Sequence, residues 1–129
     1  MSDKTVAQKL MIKEGRSVLF VNPPRNYKSL LGQLPRGVKV LHGSREPADI
    51  IQVFVNSRSE LKFHLGKLKN RLKPDGFLWI TYHKGTSKVK TDINRDSIGA
   101  YASTLGLRGV AMISVDDDWS ALSCRVCKQ

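Results

Sequence analysis

The sequence has few of the features that mark secreted or membrane proteins. Its 129 residues contain only two cysteines, Cys124 and Cys127, which are too few for a disulfide framework. No apolar run approaches the ~20 residues that a transmembrane helix needs. Residues 1–15 have lysines but neither the apolar core nor the small-residue cleavage site of a secretory signal. We therefore predict a cytoplasmic protein without a membrane span, with residues 1–129 forming a single domain.

Acidic residues are scarce. Eleven Asp and Glu face 22 Lys and Arg, which gives a formal net charge of +11 and a pI near 10. Ten of the 22 cations lie in residues 58–95, whereas three of the acids are consecutive, at 116–118. Such an excess favours anionic partners: nucleic acid or another polyanion, an acidic protein, or a phosphorylated ligand. The alternative is a basic surface that serves solubility alone.

Short apolar runs alternate with amphipathic segments along the chain. Strands are predicted at residues 18–21, 37–43, 48–55, 77–82, 109–115 and 119–127. Helices are predicted at residues 5–12, at 27–34 with Asn26 as cap and Pro35 as stop, and at 94–105. Another helix starts after Ser57, where Glu60 completes a capping-box pattern, carries a leucine stripe, and ends at a turn over residues 73–76.

This order of elements predicts an α/β fold. It indicates a small, mainly parallel, doubly wound sheet with a C-terminal antiparallel hairpin, and the helix at residues 5–12 packs on it. In such sheets, ligands bind outside the carboxyl ends of the strands. The rule selects three loops: residues 22–26, 56–58 and 82–92.

Two resemblances support this fold. "IKEGRSVLFV" and "RLKPDGFLWITY" are similar to segments of the class I methyltransferase core, a Rossmann-like fold, and the overlap covers roughly residues 11–126. More closely, the chain resembles a family of small uncharacterised bacterial proteins. The matching segments are Asn22-Pro23-Pro24 with Tyr27, residues 73–79, residues 84–92 and residues 117–120. Both resemblances imply a methyltransferase-like topology, and the second implies no particular activity.

The sequence departs from the cofactor site that the methyltransferase resemblance implies. "SVLFVNPPRNYKSLLG" has no glycine in the loop after the first strand, where S-adenosylmethionine-binding cores bring the backbone close to the ligand. Pro23 and Pro24 offer no amide donors there. The second strand ends His42-Gly43-Ser44-Arg45, without the acid that binds ribose hydroxyls in dinucleotide folds. We therefore predict no cofactor, and an atypical S-adenosylmethionine-dependent methyltransferase is the alternative.

The three loops contain the candidate ligand-binding residues. Side chains that would supply charge are Arg25, Arg58, His83, Lys84, Lys88 and Lys90, with Lys28 approaching the same edge. Asn22, Asn56 and Ser57 would supply directional hydrogen bonds, and Pro23 with Pro24 would hold the shape of the loop. We predict that this edge engages an anion without catalysis, as part of a binding or regulatory module. The alternative is that residues 82–92 form a solvated, mobile loop without a binding function.

Other motifs point less clearly to function. The basic flank of the third helix (Lys62, Lys67, Lys69, Arg71 and Lys73) suits a phosphate backbone or an anionic membrane, but such a stripe is more often a solvent face. The Cys-x-x-Cys pair falls on a strand, where residues three apart point to opposite faces, so no metal site is predicted. Trp79 and Trp119 are predicted to be packing anchors. A third function is a structural protein that pairs through its terminal strand or its hydrophobic helix.

Overall fold

The computed structural model describes residues 5–25, 27–41, 46–85 and 91–126. Its strands are β1 (Ser17–Val21), β2 (Lys39–Leu41), β3 (Ala48–Phe54), β4 (Leu72–His83), β5 (Leu107–Ser114) and β6 (Trp119–Val126). Its helices are α1 (Val6–Lys9), α2 (Tyr27–Leu31), α3 (Arg58–Lys69) and α4 (Arg95–Thr104). No helix within these ranges is long and apolar enough to cross a membrane.

The six strands form one sheet in the order β2-β1-β3-β4-β6-β5. Strands β1 to β4 run parallel to one another, while β6 pairs antiparallel with both β4 and β5. The predicted fold class, a mainly parallel sheet with a C-terminal antiparallel hairpin, is confirmed. The last strand lies inside the sheet, so β5 and β2 form its two edges.

Side chains alternate between two hydrophobic cores, one on each face of the sheet. Ile51 and Val53 of β3 point into the core that α3 and α4 cover, whereas Ile50 and Phe54 point into the core under α1 and α2. Helix α1 is held to the sheet by the Trp79 indole, which donates a hydrogen bond to Leu10 O at 2.9 Å. The covering of both faces explains why β3 and residues 77–82 of β4 are mainly apolar.

Several of the predicted element boundaries differ from the structure. Helix α1 ends at Lys9 and not at residue 12, and Met11 takes φ of 61°. Helix α2 ends after Leu31, because Gly32 takes φ of 84° and turns the chain in the left-handed region three residues before Pro35. Residues 73–76 are not a turn but belong to β4, which begins at Leu72 and has an irregular register beside Ala48 and Ile50. Gly76 allows this close pairing, since a Cβ there would lie 2.6 Å from Asp49 O.

The predicted helix starts agree with the structure where it describes them. Asn94 caps α4 through a reciprocal capping box with Ser97. Ser57 caps α3 by accepting from Glu60 N at 3.2 Å, but the Glu60 carboxylate reaches Asn56 N instead of the Ser57 amide. The predicted cap of α2, Asn26, lies outside the described residues.

The cysteine pair can be followed at one position only. Cys124 lies on β6, fully buried, and its thiol is free. Cys127 lies outside the described ranges. Among the described residues, no three histidine, cysteine or acidic side chains are grouped so that they could hold a metal ion.

Candidate functional site

Hydrogen bonds join the three loops that were predicted to form the site. The Asn22 side-chain amide donates to Phe54 O at 3.1 Å, which links the ends of β1 and β3. After β4, the Thr91 hydroxyl donates to Asn56 O at 2.6 Å, and the Asp92 carboxylate accepts from Arg58 N at 2.7 Å. The carboxyl ends of the first, third and fourth strands therefore meet at one edge, as parallel strand order requires.

The loop after β1 turns without glycine. Asn22 adopts φ of 59°, and asparagine tolerates this left-handed region better than most residues because its short polar side chain bonds locally. Pro23 and Pro24 follow, and Pro24 O accepts from Tyr27 N at 3.1 Å as α2 begins. An asparagine and two prolines thus make a rigid version of a turn that glycines usually make.

A cleft of about 720 Å³ lies beside this loop, between α2 and the carboxyl halves of β1 and β2. Its walls are mainly apolar and aromatic. They consist of Phe20, Pro23, Pro24, Arg25, Tyr27, Lys28, Ser29, Leu31, Gly32, Leu34, Val40 and Leu41. The volume lies within the ~300–1,000 Å³ range of small-molecule sites.

Two cations, Arg25 and Lys28, line the cleft. Both residues are exposed, and within the described part of the chain neither side chain pairs with an acid. The phenol of Tyr27 lies deeper, where its hydroxyl donates to the Gln52 side-chain oxygen. Burial raises the pKa of Tyr27, the hydrogen bond with Gln52 lowers it, and the charge of Asp116 raises it further. The net shift is upward, so the phenol stays protonated at neutral pH.

A second, shallower cleft of about 520 Å³ lies on the other flank of α2 and shares Pro24, Arg25, Tyr27 and Ser29 with the first. Its far wall is Asp116 and Trp119, from the turn between β5 and β6. Asp116 holds this turn together, because its Oδ1 accepts from the backbone amides of Asp118 at 2.9 Å and Trp119 at 2.8 Å. The acidic turn therefore forms one wall of the second cleft, and Asp116 stabilises that turn.

The predicted residues at the start of α3 form a cap. The amides of Asn56, Arg58 and Glu60 already donate to Glu60, Asp92 and Ser57, respectively. A carboxylate of the chain itself thus lies where the helix N-terminus would attract an anion. None of Asn56, Ser57 and Arg58 lines the two clefts around α2.

His83 and Lys84 lie at the end of β4. His83 is only 9% exposed, its ring stacks on Trp119 with centroids 3.9 Å apart, and its buried Nδ1 has no hydrogen-bond partner among the described residues. Lys84 N donates to Asp118 O, and Lys84 Nζ donates to Ser114 Oγ at 2.6 Å. Both residues therefore contact the β5–β6 hairpin. Lys88 and Lys90 lie outside the described residues, so their part in the site stays a prediction.

Of the predicted residues, Pro23 and Arg25 line the large cleft and Asn22 shapes its loop. The apolar walls were not predicted, because Phe20, Val40 and Leu41 have the pattern of ordinary strand residues. Of the two aromatic wall residues, Phe20 and Tyr27, the sequence marked only Tyr27, as part of the Asn-Pro-Pro…Tyr segment. The contact of Asp92 with the start of α3 was not predicted. The available signal was the position of Asp92 just before Asn94, the cap of α4.

No protein-family model matches the sequence, and no curated protein matches it. Solved structures do match over nearly the whole chain. A TehB-like SAM-dependent methyltransferase from Corynebacterium glutamicum superposes with a TM-score of 0.63 at 14% identity, covering 97% of this chain and 89% of that one. A SAM-dependent methyltransferase from Aquifex aeolicus gives 0.62 at 17% identity, covering 92% and 86%. The DhpI–SAH complex gives 0.64 at 10% identity, covering 96% and 84%.

These matches concern the fold. The chain has a methyltransferase-like Rossmann core, as the resemblance of its sequence implied. At identities of 10–17%, the similarity extends to architecture and not to activity.

Proposed function

We propose that the protein is a non-enzymatic binding module that holds a small phosphorylated ligand in the cleft between α2 and the ends of β1 and β2. The observation that carries the proposal is the cleft itself: about 720 Å³ of mainly apolar wall with two cations, Arg25 and Lys28, at its rim. An apolar body would fill the cleft, and the phosphate would accept hydrogen bonds from the guanidinium and the ammonium.

A compact anion is favoured over a polymer, because several of the other cations are engaged in contacts within the protein. Among the basic residues on and just after α3, Lys69 Nζ donates to Leu105 O and Lys67 lies over the Phe63 ring, while Lys73 Nζ, on β4, lies 3.4 Å from Asp49. These contacts break up the row of cations that a phosphate backbone would follow. Nucleic acid and acidic protein therefore rank below a small ligand as partners.

The test is isothermal titration with AMP, with adenosine as the probe that lacks the phosphate. We expect AMP to bind more tightly than adenosine, with an affinity that falls between about 50 and 200 mM NaCl because the rim cations are exposed to solvent. Arg25→Gln and Lys28→Gln should each weaken AMP binding roughly tenfold. Lys62→Gln, which removes one exposed cation from α3, is the matched control and should leave binding unchanged.

Two results would count against this proposal. One is equal loss of AMP binding in Lys62→Gln and Lys28→Gln, which would indicate non-specific attraction to a basic protein. The other is the absence of any AMP response at probe concentrations of about 10 mM, where even a weak site would be filled.

The second candidate function is an atypical S-adenosylmethionine-dependent methyltransferase. It is favoured by the fold neighbours, among them a complex with SAH, and by the position of the cleft at the carboxyl end of β1. Saturable binding of S-adenosylmethionine that survives Arg25→Gln would support this candidate over the anion module. In the same titration, a response to AMP alone would support the module. We also propose that the chain belongs to the small bacterial family that its sequence resembles. This membership is compatible with both the binding module and the methyltransferase.

A further inference from the structure

The outer side of β5 is an open edge of the sheet. This strand pairs with β6 on one side only, and residues 108–112 are all exposed. Two of them are large apolar side chains, Val110 and Met112, each 44% exposed. An open strand offers unpaired backbone donors and acceptors to any other extended chain.

Apolar surface continues onto both faces beside this edge. A groove of about 410 Å³ on the α4 side is lined by Gly99, Ala100, Val110 and Met112, among others. Another of about 370 Å³ on the α1 side includes Met11, Phe77 and Val110, together with the cations Arg108 and Arg125. Of the four large hydrophobic side chains that are exposed within the described residues, three (Met11, Val110 and Met112) line these grooves. The fourth, Phe63, lies on α3.

The edge lacks the usual protection against pairing. β5 contains no lysine, proline or acid, and its one charged residue is Arg108 near the start. The register irregularity between Gly109 and Ala111 bends the strand, but the extra residue there is the apolar Val110. Among the residues that the structure describes, only the far end is covered, where Lys9 Nζ donates to Ser114 O at 3.1 Å. The open stretch therefore runs from Arg108 to Ile113.

We infer that β5 pairs antiparallel with the β5 of a second copy of this chain, joining two six-stranded sheets into one. Self-pairing suits this strand, because a two-fold axis near Ala111 sets the exposed Val110 of one copy opposite the exposed Met112 of the other, and the single charge, Arg108, opposes it little. If the two-fold axis passes near Ala111, the two Arg108 residues lie six positions apart along the strands, about 20 Å at ~3.4 Å per residue. That separation exceeds the ~8 Å Debye length of physiological salt, so they repel each other weakly. The uncharged residues 109–113 then face each other, and the exposed methionines and valines of the two copies become buried.

The edge strand available for pairing is β5 and not the last strand of the chain. Pairing through the terminal strand was one of the two routes named for a structural protein, the third candidate function, but β6 is interior and cannot accept a further neighbour on either side. Because each copy carries a net charge of +11, the dimer should strengthen as salt rises. Anion binding in the cleft should weaken with salt, so failure of one proposal is distinguishable from failure of the other.

The test is sedimentation equilibrium of the full chain across protein concentration, at low and at high NaCl. We expect a reversible monomer–dimer equilibrium that tightens with salt. Met112→Lys should raise the dimer dissociation constant at least about tenfold, because it places a charge in the centre of the pairing. Phe63→Lys is the matched control: within the described part of the chain it replaces the one large exposed hydrophobic outside this edge, and it should leave the dissociation constant unchanged.

Hydrogen exchange of the wild-type chain keeps the test independent of how the variants fold. Comparing about 5 µM with about 500 µM protein, which brackets a weak association, should show added protection in residues 108–113 at the higher concentration. A monomer at every concentration and salt would overturn the inference. So would a dimer that Met112→Lys leaves intact, or one whose added protection lies outside β5.

Discussion

The hydroxyl of Tyr27, on α2, donates a hydrogen bond to the side-chain oxygen of Gln52, in the middle of β3. Gln52 is fully buried, and its amide nitrogen donates in turn to the Thr81 hydroxyl on β4 at 3.0 Å. A polar chain thus runs from the wall of the candidate cleft across two central strands. Because each buried group needs a partner, the chain fixes where the short helix α2 sits on the sheet.

Removing the phenol hydroxyl should therefore be costly. Tyr27→Phe keeps the edge-on ring contacts with Phe20 and Phe54 but leaves the Gln52 oxygen buried without its donor. We expect a loss of about 1–3 kcal/mol in the free energy of unfolding, measured by urea denaturation. Tyr101→Phe is the control, since the Tyr101 hydroxyl makes no hydrogen bond within the described residues. Equal stability of the two variants would contradict the role given to this network.

The glycine at position 76 should tolerate no side chain. A Cβ there would lie 2.6 Å from Asp49 O and 2.8 Å from Leu72 Cδ1, and the backbone oxygen cannot move without disturbing the pairing of β3 with β4. We expect Gly76→Ala to destabilise the protein by roughly 1–3 kcal/mol.

Gly66→Ala provides the comparison, in the same denaturation experiment. Gly66 lies inside α3, and a Cβ there meets nothing within 4 Å. Alanine should stabilise the helix by about 0.5–1 kcal/mol, because it loses less backbone entropy on folding. If both substitutions shifted stability in the same direction, the close contact at Gly76 would not be the cause.

Local signals were sufficient to predict the fold. The run "ADIIQVFV" is nearly all apolar, so a strand covered on both faces followed from it, and β3 is that strand. A turn of three residues, 116–118, between two apolar runs implied a hairpin, and β5 pairs antiparallel with β6. The three loops that meet at the carboxyl edge followed from the parallel order alone.

Contacts between distant residues could not be predicted in this way. The partner of Gln52 is 25 residues away on a helix only five residues long, and no spacing in the sequence indicates it. Proline and glycine in "KPDG" favour a turn locally, yet pairing with Ala48 and Ile50 of β3 keeps the segment extended. The cleft depends on the end of α2 at Gly32. The sequence pattern had placed the end of this helix at Pro35.

The Cys124 thiol should be inert in the folded protein. Its side chain is fully buried on β6, and burial raises the pKa of the thiol to about 11, so little thiolate exists at neutral pH. In a Cys127→Ser background, we expect a disulfide reagent at pH 8 to label Cys124 only after urea is added. Rapid labelling of the native protein, with circular dichroism unchanged, would contradict the burial of this residue.

Acid should destabilise the protein through Asp49, which fixes the start of β3 to β1. Burial alone would raise the pKa of this carboxyl, but hydrogen bonds from Ser17 N at 2.9 Å and Ser17 Oγ at 3.1 Å, together with the charge of Lys73, outweigh burial and lower it. The Arg16 guanidinium lies 3.6 Å from the other carboxylate oxygen. The pKa is therefore lower in the folded than in the unfolded chain.

The sign of the pH effect follows from that difference. Above the ordinary aspartate pKa of about 3.9, the full stabilisation by Asp49 is present, and it is lost as pH falls towards the lower pKa of the folded state. Asp49→Asn should be less stable than wild type near pH 6, and the gap should narrow as denaturation is repeated down to about pH 3. Asp117→Asn, at an exposed position of the acidic turn, should show no such narrowing. A gap between wild type and Asp49→Asn that stays constant with pH would mean that the asparagine disturbs packing and that the charge of Asp49 contributes nothing.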